Sequence, residues 1–548
     1  MTGFVAGLRE TAPTVPLLAT LATIAALGSA TFGPLAAQEP PRIDSILIER
    51  QDLFTDAQAE GNAFANLLNG LHGTTRPFVI RRELLFDVGD RVDSLVLAES
   101  ERNLRSRGLF RSVRIDTLTI DGKLTAHVRT RDAWSLLPRA NIQIASDGRF
   151  TGSFGLTETN VAGTGNRLRL WYVREADRDG VVLAAGVPRI GGSNVAASAS
   201  WASLSDLDAA AWTLSTPFRS NSDRRSFFYD GESFRGRVRQ YRAIAANVAD
   251  TTDYHRRALI NRVFYTVAPI ARPEGYLRVG VSAEVRREEY IRAPNPAVDR
   301  DSVFALVPDT VYAQVSVFSE YRQSKFARLG RFNGFTEEDQ DLSNLIFLSA
   351  ALAPSDWGYE GTGIGTRAVL RAGARAGPTL LKAVVDANAL FNGAGLDSGR
   401  VVATGTLAVR TADRHATFLQ VSGGVQEGPP PGGEFDLGFQ IMPRLWGPHA
   451  FVGTTSFRAT FEHRFFMIDN IADLIGLGLA GFVDYGGAWY AAQDPRLGGN
   501  AGVSVFFGSP LSSLAQINHL SAGYRFGGGI EDSDLARWSF TLGSGIIF

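Results

Sequence analysis

Trp538-Ser-Phe-Thr-Leu-Gly-Ser-Gly-Ile-Ile-Phe548 carries the reading of the fold. Trp538, Phe540, Leu542, Ile546 and Phe548 share one parity, and Ser539, Thr541, Gly543 and Gly545 fall between them, with Ser544 and Ile547 as the exceptions. Period two over that length predicts a strand with one apolar face and one small or polar face. A strand ending on an aromatic fits the closing strand of a membrane barrel, with Phe548 expected at a membrane interface. Two stretches upstream extend the pattern. One is the turn-rich run Phe435–Pro448 followed by the strand Ser456–Phe466. The other is Gly481-Phe-Val-Asp-Tyr-Gly-Gly-Ala-Trp489.

From Pro138 to Phe548 no helical periodicity survives. Short alternating runs recur between Gly, Pro, Asn and Asp, as at Arg167–Tyr172, Tyr276–Val285, Val311–Val317 and Val401–Val409. At about 10 residues per strand plus turns, residues 138–548 predict a transmembrane antiparallel β-barrel of about 16 strands. The polar stretches Arg219–Arg237 and Asn295–Asp309 read as long extracellular loops. No blade-length repeat supports a propeller.

Composition narrows the function classes. Charged residues make up 20 % of the 548 and the net charge is −1, a balance that argues against nucleic acid as the main partner, which normally needs a basic patch. The chain has no cysteine, which removes thiol catalysis, disulfides and cysteine metal sites. Residues 1–37 read as a secretory signal peptide: an apolar run from Val15 to Phe32, then small residues, with cleavage after Ala37 or after Ala30. Beyond it, no segment reaches the roughly 20 apolar residues of a spanning helix.

Residues 38–137 are mixed. Ser45–Arg50 reads as a strand, and Phe78–Phe86 as a helix ended by Gly89. A second helix is capped by Asp90 or Asp93 and stopped by Gly108. Two strands follow around the turn Asp121-Gly122. An insertion at about 52–76 reads as loop with a short helix.

The segments Arg82-Glu-Leu-Leu-Phe-Asp-Val-Gly-Asp90 and Ser100–Val113 resemble the POTRA module of the BamA/TamA outer-membrane assembly superfamily. Leu104, Gly108, Phe110 and Val113 carry its spacing. One copy is visible. In the barrel, Ser153–Leu168 with its Asn160-x-x-Gly163-x-Gly165 turn resembles the superfamily's opening strands. Gly481–Trp489 is similar to its Asp-x-Gly-x-x-Trp strand, and Phe461–Phe465, with Glu462 and Arg464, is similar to its Glu-x-Arg strand. The resemblance implies a long inward loop whose arginine, beside a glycine, reaches an aspartate on the wall, here Asp484. Gly447 matches that glycine, but Trp446 stands at the arginine position. Arg444, two residues upstream, is the candidate replacement, because a guanidinium stays charged and binds carboxylate in a fork.

The resemblance further implies an outer-membrane location in a diderm bacterium, with the POTRA-like domain in the periplasm. It implies a role in inserting or translocating proteins, acting on extended client polypeptides in contact with outer-membrane lipids and other assembly proteins. A seam between the strand near Asn141–Ile144 and the closing strand would open sideways and template an incoming strand. Gly543 and Gly545 either weaken that seam or only relieve curvature. A passive pore or receptor on the same scaffold is the alternative. No nucleotide loop, nucleophile elbow or metal-ligand spacing points to an enzyme, a cofactor or a metal.

Overall fold

The structure is a computed structural model. It describes residues 40–548 apart from 61, 145–149, 176–177, 246–247, 293–304, 440, 472–473, 492, 513–516, 529–536 and 545–547. The signal-peptide reading of residues 1–37 and the seam glycine Gly545 lie outside the described residues.

The described chain begins with a three-stranded sheet ordered β1-β3-β2: β1 is Ser45–Gln51, β2 Phe110–Ile120 and β3 Lys123–Asp132. β1 runs parallel to β3, and β2 runs antiparallel to it. A parallel neighbour needs a crossover, and four helices supply it: α1 (Asp56–Ala59), α2 (Ala63–Leu71), α3 (Pro77–Arg81) and α4 (Ser94–Ser106). Asp93 caps α4 by accepting from the Leu95 N–H at 2.8 Å. Gly108, at φ +67°, follows the helix. Asp121 and Gly122 both take positive φ, as a two-residue hairpin turn requires. Leu104, Phe110 and Val113 are buried with Ile80, Ala126 and Val128. The helix expected over Phe78–Phe86 is confined to Pro77–Arg81. Beyond it the chain turns so that Leu84 and Phe86 reach the core while Leu85 N–H donates to Ser100 Oγ. The insertion is more ordered than a loop: Leu53, Phe54, Ala59 and Ala65 pack against Leu511 of the barrel.

From Leu136 onward, twenty strands among the described residues close into an antiparallel barrel, against the expected sixteen or so. The discrepancy arises in the turns. Many hairpins spend only two residues between strands, as at Pro273–Glu274, Gly377–Pro378 and Asp413–Arg414, so the same length yields more strands. Arg219–Arg237 is likewise not an extracellular loop. Arg225–Ala245 is a strand of 21 residues, and Arg219–Asp223 is a turn on the side of the small sheet. Its polar residues alternate because they pair across strands, as Arg262 does with Asp230 and Glu232.

No described helix is long and apolar enough to cross a membrane. The barrel's outer face is apolar instead, with Val281, Val317, Val503, Leu520, Trp538 and Phe540 each more than half exposed. An apolar surface of that extent would be a liability in water and is normal against lipid. Ser539, between the exposed aromatics, and Thr541, just after them, are buried, so the alternation expected of the closing strand is present up to residue 541.

Candidate functional site

Two insertions fill part of the lumen from opposite mouths. From the far mouth, residues 428–454 fold inward and carry the short pair Phe435–Leu437 and Phe451–Gly453. Trp446, Phe451, Phe435 and Leu437 pack there against Ala488 of the wall. The wall accepts them because Gly498 has no side chain; a Cβ there would lie 2.6 Å from both Trp446 and Phe451. Trp446 is 3 % exposed and donates its Nε1–H to Gly499 O at 3.1 Å, so it fills an apolar seat, not a charged one. Gly447 O accepts from Phe439 N–H.

Arg444 points to the wall strands Thr455–Ile471 and Ile475–Trp489. Its Nε and Nη2 fork onto Asp484 at 2.8 and 3.0 Å, and its Nη1 donates to Glu462 at 2.6 Å. The guanidinium lies 4.0 Å from the Phe482 ring. Asn500 Nδ2–H donates to Asp484 at 2.8 Å, and Asn500 Oδ1 accepts from Leu445 N–H. Arg464 Nε donates to the other oxygen of Glu462 at 2.6 Å. Glu462, Arg464 and Asp484 are fully buried. Two cations and two carboxylates thus balance, three of the four fully buried, the condition under which a buried charge is tolerable. Asn500 carries no signal in the sequence beyond its place on a strand.

From the module-side mouth, the connection between strands Ala305–Gln323 and Asn344–Ala353 folds inward as a hairpin, Phe326–Gly330 paired with Glu337–Asp341. Phe332, Leu342 and Ala327 pack with Phe418, Phe466 and Phe506 of the wall. Phe548 joins this cluster. The expectation that it sits at the membrane interface is therefore wrong: it is 5 % exposed and its ring stacks on Phe418 at 4.3 Å. The lumen offers a ring more contact than a headgroup region does, and Asn333 bonds both its backbone groups, at 3.0 and 3.2 Å. Arg464 connects the two insertions by donating to Phe332 O at 3.2 Å.

The seam pairs the closing strand Trp538–Ser544 with Leu136–Ile144. Among the described residues its register covers three pairs, Phe540↔Ile144, Thr541↔Gln143 and Leu542↔Ile142. The next pairing on one side, from Leu136↔Glu158 to Ile144↔Phe150, covers nine. Gly543 lies just past the seam pairs, and a Cβ there would sit 3.7 Å from Asn141 Oδ1, so the missing side chain relieves no clash.

The small sheet meets the barrel at the turn after strand Phe150–Val161. Asn160 Nδ2–H donates to Thr75 Oγ1, and Arg76 N–H to Gly163 O. Gly163, at φ +72°, allows this approach: a Cβ there would lie 2.4 Å from Thr74 O. Thr75 gives its N–H and Oγ1–H to Asp132. Burial pushes Asp132 up to about 6 despite those bonds. Burial also opposes charge on His72, but its bond to Asp52 and the fields of Asp132 and Asp52 outweigh that and raise its pKa. The sign is the same for both groups. Each binds its proton more tightly when folded, so each contributes stability in mild acid that is lost as pH rises through about 6 and above. For Asp132, a carboxyl held near 6 against its ordinary 3.8 corresponds to about 3 kcal/mol. Hydrogen exchange at β3 amides, corrected for intrinsic rate, is expected to be slower at pH 5.5 than at pH 7.5, and Asp132→Asn is expected to flatten that difference.

No protein-family model matches the chain. Over 95 residues, 17 % of this chain and 13 % of the relative, it is 34 % identical to outer membrane protein assembly factor BamA of Neorickettsia risticii (strain Illinois). The match therefore spans about an eighth of that protein's length. Among solved structures it is similar to BamA from Haemophilus ducreyi lacking POTRA domains 1–3, at 12 % identity and TM-score 0.38, covering 91 % of this chain and 85 % of that one. It is also similar to CdiB from Acinetobacter baumannii, at 11 % identity and TM-score 0.44, covering 92 % and 73 %. CdiB from Escherichia coli matches at 10 % identity and TM-score 0.42, covering 94 % and 93 %. The chain thus shares a 95-residue stretch of similarity with BamA, and its strands close into an antiparallel barrel with an apolar outer face.

Proposed function

We propose that the protein helps other polypeptides enter or cross the outer membrane through its lateral seam, with residues 38–137 acting as a single POTRA-like domain in the periplasm ahead of the barrel at 138–548. The observation that carries this reading is the seam. A closed barrel hides every backbone amide from lipid, yet among the described residues this one is joined over three registered pairs where its neighbour has nine. Parting that pairing exposes two strand edges, and an edge is a template for another strand. The small sheet offers the same chemistry at the module-side mouth, since β1 and β2 are its edge strands. Its clients would be extended polypeptides and its surroundings outer-membrane lipid and other assembly proteins.

In this reading the inward loop is a lock. Arg444, Asp484 and Glu462 hold it to the wall, with Arg464 shared with the hairpin below and Trp446 and Gly447 seating the loop. Leu104, Gly108, Phe110 and Val113 belong to the fold of the small domain. A passive pore is less favoured because two insertions pack against the lumen wall and are bridged through its Glu462 and Arg464.

Depletion followed by quantitative proteomics of the outer membrane tests the reading. Loss of several unrelated barrel proteins, or of a secreted one, is expected. Loss of uptake of a single solute with the membrane proteome intact would mean a pore or receptor.

A further inference from the structure

We propose that the hairpin Phe326–Asp341 is a latch that holds the closing strand in place and is itself held by α4. The inference rests on the lateral seam proposed above and concerns what controls it.

The hairpin has two faces because its strands alternate. Arg328 is paired with Asp339, and Ala327 and Leu329 with Gln340 and Glu338. Ala327 and Gln340 are buried toward the lumen, while Arg328 and Asp339 face the small domain.

On the lumen side lies Asn333, 1 % exposed. It accepts from Phe548 N–H at 3.0 Å and donates to Phe548 O at 3.2 Å. Glu338 fixes the Asn333 amide at 3.0 Å and its backbone N–H at 2.6 Å. Lys382 also donates to Phe548 O, at 3.3 Å. Phe332 and Phe548 share Phe418, at centroid distances of 5.0 and 4.3 Å. The grip is dry, and it bonds the backbone itself.

On the other side the contacts are polar and partly wet. Arg105 of α4 forks onto Asp339 at 2.7 and 3.1 Å, and Glu101 meets Arg328 at 3.4 Å. Arg102 lies 4.6 Å from the Phe326 ring. Three polar positions on one stretch of α4 therefore reach one hairpin. These ion pairs are only part-buried and so are open to screening by salt, whereas breaking the two buried hydrogen bonds between Asn333 and the Phe548 backbone is costly. The hold on Phe548 is thus the strong bond and the hold on α4 the one that breaks first. Movement of the small domain would withdraw α4, loosen the hairpin and release Phe548, which follows the seam strand Trp538–Ser544.

The experiment uses the full chain in native outer membranes. Ile142→Cys and Leu542→Cys face each other across the seam in a chain without other cysteines, and the rate of disulfide formation under a mild oxidant reports how long the seam stays closed. Asn333→Ala is expected to slow crosslinking at least threefold. Arg105→Glu, on the surface side, is expected to slow it as well, and Arg105→Glu with Asp339→Arg to restore it. Heat-modifiable migration on gels verifies that each barrel is folded. Parent-like rates in both single variants would overturn the latch. Its failure is separable from failure of the seam: a completed crosslink that leaves client assembly unchanged refutes the seam and says nothing against the latch.

Discussion

Arg444→Ala is expected to destabilise the folded barrel by about 3–5 kcal/mol, the usual cost of removing one partner from a buried ion pair. The size follows from what remains. Asp484 and Glu462 are both fully buried and lie within reach of the same guanidinium. Without it, Glu462 keeps Arg464, but Asp484 keeps only the neutral amide of Asn500 and the backbone N–H of residue 444. Arg444→Lys should fall between, because an ammonium cannot fork onto Asp484 and reach Glu462 at once. The double variant Arg444→Leu with Asp484→Leu removes one charge of each sign and is expected to recover more than half of the loss. The urea midpoint of the barrel in detergent, read by heat-modifiable migration, measures all three. Limited proteolysis within 428–454 should quicken in the single variant. An unchanged midpoint in Arg444→Ala would show that the loop is held by Trp446 and its apolar neighbours and not by charge.

Crosslinking the seam is expected to abolish function reversibly. The completed disulfide between Ile142→Cys and Leu542→Cys should cut the assembly of client proteins more than tenfold, and reductant should restore it. Each backbone hydrogen bond contributes on the order of 1 kcal/mol net, so the three pairs registered among the described residues contribute a few kcal/mol, which binding of a new strand can offset. A covalent bond cannot be offset that way. The control is the neighbouring pair Ala522↔Phe540, one interface away within the same closing strand. A disulfide there leaves the seam free and is expected to leave assembly intact. Full activity of the seam-crosslinked protein would refute lateral opening.

Much of this architecture is visible along the chain because its causes are local. Period two in Trp538–Thr541 follows from the pleat of a single strand, and the structure keeps it. The positive φ of Asp121 and Gly122 and the Asp93 cap need only a few neighbouring atoms, so residue type announces them. Arg444 could be nominated because guanidinium and carboxylate have complementary shapes, yet only the folded loop brings it to Asp484 across 40 positions of sequence. The number of strands was not readable. It depends on how short each turn is and on where the last strand meets the first, which no single segment encodes. Parity alone would turn Phe548 toward lipid. Asn333, 215 positions away, and the ring of Phe418 draw it into the lumen instead, because burial against partners elsewhere in the chain outweighs the alternation of one strand.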